Sequence, residues 1–213
     1  MKKATKKEIQ EIKKRFIERY SDAVTELHYK NAYELVIAVA LSAQCTDKRV
    51  NLITPALFEK YPTPQDLAKA DIEDVKSLIH SCSFFNNKAK NLLAMAKRVV
   101  EVYNGEIPMN EKDLQTLAGV GQKTAHVVMI EYTGANLMAV DTHVFRVSHR
   151  LGLSDDKTAI ATEATLVKKF KTDLHVLHQA MVLFGRYICT AKNPKCDECF
   201  LTEFCKTKES FKV

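Results

Sequence analysis

The sequence predicts an all-α protein, and three observations carry that expectation. Short polar residues able to cap a helix start (Thr5, Asn31, Thr46, Thr63, Asp71, Asn110, Asp141) stand just before apolar residues at helical spacing. Gly105, Gly134 and Gly152 fall just past the ends of such stretches, where a helix C-terminus favours glycine. No segment alternates apolar and polar residues between Asn-Gly or Asp-Gly turns, so no strand hairpin is expected.

The elements follow in order. Thr5-x-x-Glu8 is a capping box, and Ile9, Ile12, Phe16 and Tyr20 recur after it at helical spacing. "AYELVIAVALSAQ" after Asn31 is apolar nearly all round, which predicts a buried helix. Thr46 caps "DKRVNLI", which Pro55 interrupts or kinks. Thr63-Pro64 reads as cap and first helical position. Asp71 opens "IEDVKSLIH", and a long helix runs over 87–103. Asn110 caps "EKDLQTL", Gly121-Gln122 leads into "KTAHVVMIEYT", and Asp141-Thr142 opens "HVFRVSHRL". Two further helices fill 158–170 and 174–188, giving about ten in all.

Composition sets the bounds. The 213 residues are 46% hydrophobic and 27% charged, enough apolar material for one large or two small domains. A net charge of +6 is compatible with nucleic acid or another anionic surface. The longest apolar run, "LVIAVAL", falls well short of a membrane span, and the basic N-terminus lacks the apolar region of a secretory signal. A cytoplasmic chain is expected, with no membrane partner, and its six cysteines then argue against a disulfide framework.

Residues 111–133 read as helix, short turn, helix, with the turn at "AGVGQ". Gly119 and Gly121 permit unusual backbone angles and close approach of a ligand to the main chain. The second helix begins at once, so its unbonded N–H groups and positive dipole end make a nest for an anion such as a DNA phosphate. Val120 would plug the gap between the two helices. An ordinary turn that needs glycine for geometry is the plain alternative. A P-loop is excluded, because G-x-x-x-x-G-K-[ST] is absent.

Cys189, Cys196, Cys199 and Cys205 give C-x6-C-x2-C-x5-C in a polar stretch, a metal site by its spacing. Zinc ribbons show two C-x2-C knuckles where this chain has one, and iron–sulfur clusters also take four thiolates. Cys45 and Cys82 lie too far away in sequence to join this set and read as buried thiols.

"LAGVGQKTAHVV" resembles the helix–hairpin–helix of the endonuclease III family of DNA glycosylases. "VDTHVFRVSHRLGL" resembles the segment that follows it in that family, and "LSAQCTD" the family's DNA-probing loop. The resemblance spans roughly residues 8–206. It implies a two-lobed fold: one lobe of residues 23–135 with the hairpin, and one of 1–22 plus 136–213 with a 4Fe-4S cluster on the four cysteines. It implies that Lys123 is the nucleophile and Asp141 its electrostatic partner, and that Gly119, Val120, Gly121 and Thr124 hold DNA. It implies that Gln44 and a residue of "CSFFNNKA", best matched by Phe84, wedge into the duplex. Ser83 stands where the family usually has glycine, and Ala118 where proline is common. Phe84 and Phe85 as core residues are the plain alternative.

The chemistry suits these residue types. An amine attacking C1′ displaces the base and leaves a Schiff base; loss of a C2′ proton then permits β-elimination of the 3′ phosphate. A helix N-terminus disfavours ammonium, and burial in a base pocket would add to that. A carboxylate stabilises positive charge developing on the sugar. The activity implied is removal of oxidised pyrimidines from duplex DNA with cleavage at the abasic site, by a monomer associated with the nucleoid. Adenine DNA glycosylase is the nearest rival. That branch lacks the lysine, has a glutamate where this chain has Gln44, and usually carries a further C-terminal domain, whereas this sequence ends eight residues after Cys205. A glycosylase for alkylated bases and a non-catalytic DNA-binding module are the other readings.

Overall fold

The computed structural model describes residues 3–207, and every structural statement below concerns those residues. The outermost ends of the expected lobes, 1–2 and 208–213, lie outside them. The described chain is helical with no strand: α1 (Lys6–Arg19), α2 (Ala32–Ser42), α3 (Asp47–Lys60), α4 (Pro64–Ala68), α5 (Ile72–Ile79), α6 (Phe85–Tyr103), α7 (Glu111–Leu114), α8 (Gln122–Thr133), α9 (Thr142–Arg150), α10 (Ala159–Phe170) and α11 (Leu174–Tyr187). Two single 3-10 turns, Cys196–Glu198 and Thr202–Phe204, follow. No helix is long and apolar enough to cross a membrane.

All seven expected cap residues accept a bond from their helix start. Thr5 completes a capping box with Glu8, and Thr63 completes another with Asp66. Pro55 lies inside α3 without ending it. The long helix α6 starts at Phe85 rather than 87, because Phe84 turns left-handed immediately before it. The segment after Asn110 winds only as far as Leu114 before turning toward Gly119.

The chain divides into two compact units, Thr25–Thr133 and Met1–Val24 with Gly134–Val213. In the first, α2 is the central helix: Leu35, Val36, Ile37, Ala38 and Leu41 are fully buried. α3 and α8 pack on α2, and α4 and α5 pack on α6. The all-round apolar sequence of α2 is what this central place demands. Each fully buried Leu or Ile contributes about 1.5–3 kcal/mol over its exposed state.

The second unit is built on α11, which packs against α9 and α1. The Phe16 ring meets Phe184 and Phe200 edge-on, at centroid distances of 5.4 and 5.7 Å. α9 and α11 approach so closely at Gly185 that a Cβ there would sit 2.8 Å from the Cβ of His143. An alanine at Gly185 would therefore force the two helices apart.

Candidate functional site

The hairpin turn resolves into two glycines with different tasks. Gly119 has φ +83°, a region that side chains rarely enter, and a Cβ there would crowd Asn91 at 3.2 Å. Gly121 has an ordinary φ, and nothing lies within 4 Å of where its Cβ would be. So only Gly119 uses glycine's backbone freedom, whereas Gly121 leaves open space beside the main chain. Val120 between them is buried in the core of its unit, as the hairpin reading expects. The Val120 N–H donates to Leu117 O, and the Ala125 N–H donates to Gly121 O to begin the α8 ladder. Lys123 and Thr124 thus occupy the first turn of α8, with Lys123 exposed and Thr124 half-buried.

The two expected probing segments meet this turn. Gln44, Phe84 and Gly119 line one recess of about 210 Å³, together with Asn87, Lys88 and Asn91. Gln44 follows the C-terminus of α2, and Phe84 precedes α6. Both are left-handed, at φ 55° and 58°, although neither is glycine. Phe84 is 62% exposed, while Phe85 packs against the core. The substitution of Ser83 for the usual glycine leaves no strain at 83 itself, because the left-handed angle falls on Phe84.

Lys88 was not singled out by the sequence, and it joins these segments from beneath. It is buried, and its Nζ donates to Leu41 O (2.8 Å), Ala43 O (2.7 Å) and Cys82 Sγ (3.1 Å). Burial pushes the Cys82 thiol up, and the hydrogen bond from Lys88 pulls the other way.

In the other unit, Asp141 is the N-cap of α9. Its Oδ1 accepts from the His143 and Val144 N–H groups, both at 2.8 Å. Both cap bonds fall on one oxygen, which leaves Oδ2 for other work. His143 turns to Arg146, 3.1 Å from ring Nδ1 to guanidinium, in keeping with a local role.

Cys189, Cys196, Cys199 and Cys205 are free thiols that line one recess. No group of three or more His, Cys, Asp or Glu side chains is arranged to hold a single metal ion. Zinc and a 4Fe-4S cluster both take four thiolates. The donor set, thiolates only, fits a 4Fe-4S cluster. Burial pushes the Cys189, Cys196 and Cys199 thiols up. Arg150 donates to Cys189 Sγ at 3.2 Å and to Thr190 O at 2.7 Å. From α1, Arg15 donates to Phe200 O and pairs with Glu203, and Lys206 pairs with Glu8.

Comparison with known proteins accords with this arrangement. Residues 37–172 match the family described as HhH-GPD superfamily base excision DNA repair protein. Residues 189–205 match the iron-sulfur binding domain of endonuclease III. Endonuclease III of Bacillus subtilis is 44% identical over 88% of this chain and 86% of its own length. Endonuclease III of Escherichia coli is 37% identical over 95% of this chain and 97% of its own. A trapped endonuclease III–DNA covalent intermediate superposes with a TM-score of 0.93 at 41% identity, covering 97% of this chain and 98% of that one. A thermostable thymine-DNA glycosylase shares the fold, with a TM-score of 0.85 at 23% identity over 96% of this chain and 98% of that one.

Proposed function

The chain belongs to the endonuclease III family of base excision repair proteins, bifunctional DNA glycosylases and abasic-site lyases, and we propose that its substrates are oxidised pyrimidines and abasic sites in duplex DNA. Lys123 is the nucleophile in this reading. One observation carries it: an exposed primary amine in the first turn of α8, two residues after the open space at Gly121. The helix N-terminus favours a phosphate beside the amine.

The amine of Lys123 attacks C1′, the C1′–N bond breaks, and the base leaves with its electron pair. The nitrogen loses one proton, its lone pair expels the ring oxygen O4′, which takes up a proton as the C1′–O4′ bond breaks, and a protonated Schiff base results. Removal of a C2′ proton then sends electrons toward the imine, the C3′–O bond breaks, and the 3′ phosphate departs. Asp141, as the family resemblance implies, is the carboxylate that stabilises the positive sugar. Because Lys123 is exposed in the protein alone, the substrate itself supplies its desolvation. Gln44 and Phe84 fill the gap left by the extruded nucleotide. The cluster, held by Cys189, Cys196, Cys199 and Cys205, supplies a four-point cross-link to a segment with little regular structure of its own.

Lys123→Gln is expected to abolish borohydride trapping on damaged duplex and strand cleavage, while DNA binding survives. Trapping that persists in this variant would move the nucleophile elsewhere. Absence of trapping by the unaltered protein would favour a DNA-binding module without lyase chemistry.

A further inference from the structure

Lys88 stands in the first turn of α6, the end of a helix where positive charge is disfavoured. It is nonetheless buried, and it spends three hydrogens on three protein acceptors. Two of these, Leu41 O and Ala43 O, are at the C-terminal end of α2, which has no basic residue in its own last turn. The bonds satisfy carbonyls that a helix end leaves open, with charge of the favoured sign. The third acceptor, Cys82 Sγ, belongs to the other segment.

One ammonium therefore fastens both approaches to the recess. Gln44 is the residue after Ala43, and Phe84 is two after Cys82. Both are left-handed without being glycine, a conformation that persists only where the surroundings impose it. Lys88 also lines the recess, but with its hydrogens committed to the protein it is a tie and not a second nucleophile.

We propose that Lys88 is the positioning residue for base extrusion, holding Gln44 and Phe84 so that both enter the duplex together. This rests on reading those two residues as the wedge. The test uses the full-length, cluster-loaded protein and Lys88→Met, which keeps a long apolar stem and removes the donors. For a stacked, paired oxidised pyrimidine, kcat should fall about tenfold or more with KM nearly unchanged, because misplacement and not affinity is altered. Cleavage at a preformed abasic site should hardly change. Amide exchange should speed at Gln44, Cys45, Ser83 and Phe84 but not along α8. Should Lys88→Met fail to fold, Cys82→Ala removes one of the three ties and should give a smaller split in the same direction.

Phe84→Ala is the control for the wedge itself. It should slow excision of the paired lesion by roughly ten- to a hundredfold, since aromatic stacking on bases contributes about that much. In its background the effect of Lys88→Met should shrink to the part that acts through Gln44. A split with Phe84→Ala but none with Lys88→Met and Cys82→Ala would overturn the positioning role alone. No split with either Phe84→Ala or Gln44→Ala would overturn the wedge reading and the positioning role with it. Equal slowing of both substrates by Lys88→Met would make Lys88 a merely structural residue.

Discussion

The cysteine segment and the two segments around Gln44 and Phe84 are both irregular backbone, held in opposite ways. The first folds around something it binds. Its recess is lined by four thiols, and its outside is gripped by Arg15, Arg150 and Lys206. The second folds around something the protein already contains, the buried amine of Lys88. A segment built on a cofactor is as stable as its cofactor. A segment built on an internal tie is set before any ligand arrives, as the proposed wedge role requires.

The largest expected effect breaks the first half of that comparison. Cys199→Ala should remove the brown colour and the soluble protein together, read by iron analysis and yield. Zinc without iron in protein prepared without air, or a soluble colourless variant with full activity, would show that the segment does not depend on a cluster.

A smaller effect sharpens the second half. Gly119→Ala should destabilise the protein by about 1–2 kcal/mol, because a Cβ strains its left-handed angle. Gly121→Ala should leave the melting temperature unchanged but weaken binding to all duplex sequences alike, because its open space is where a phosphate would approach. Loss of stability at Gly121, or binding loss confined to one lesion, would contradict that division.

How much of this was legible in the sequence divides along physical lines. Caps were legible because capping is local: Asn31, Thr46, Asp71 and Asn110 each accept from a residue two or three positions on. The cysteine segment was legible because ligand spacing is written along the chain. The left-handed angles at Gln44 and Phe84 were not, because neither residue favours them and long-range packing imposes them. "NNKA" reads as a solvated helix start, so Lys88 escaped notice. The available signal was a basic residue at the wrong end of a helix, but its burial depends on the distant end of α2.

The smallest expected effect concerns the outer grip on the cysteine segment. The Lys206 hydrogen bond, with help from the Thr5 N–H, lowers the Glu8 carboxyl from 4.5 to about 2. A carboxyl depressed in the folded state stabilises fully above its ordinary value and ceases to as pH falls toward the depressed one. The melting temperature of Glu8→Gln should therefore lie below that of the unaltered protein near neutrality, and the gap should narrow below about pH 4.5. A gap that is flat with pH would mean that the Glu8 charge contributes nothing through either partner.

That same pair has a consequence for how the molecule comes into being. Lys206 closes onto Glu8 across nearly the whole chain, and its N–H donates to Arg150 O. Translation delivers α1 first and its partners last, with Thr25–Thr133 synthesised in between. The inner unit can bury its core while still attached to the ribosome, because every element it needs has already emerged. Helix α1, whose Ile12 and Phe16 are fully buried in the finished protein, must wait with its apolar face uncovered until α11 and the cysteine segment arrive.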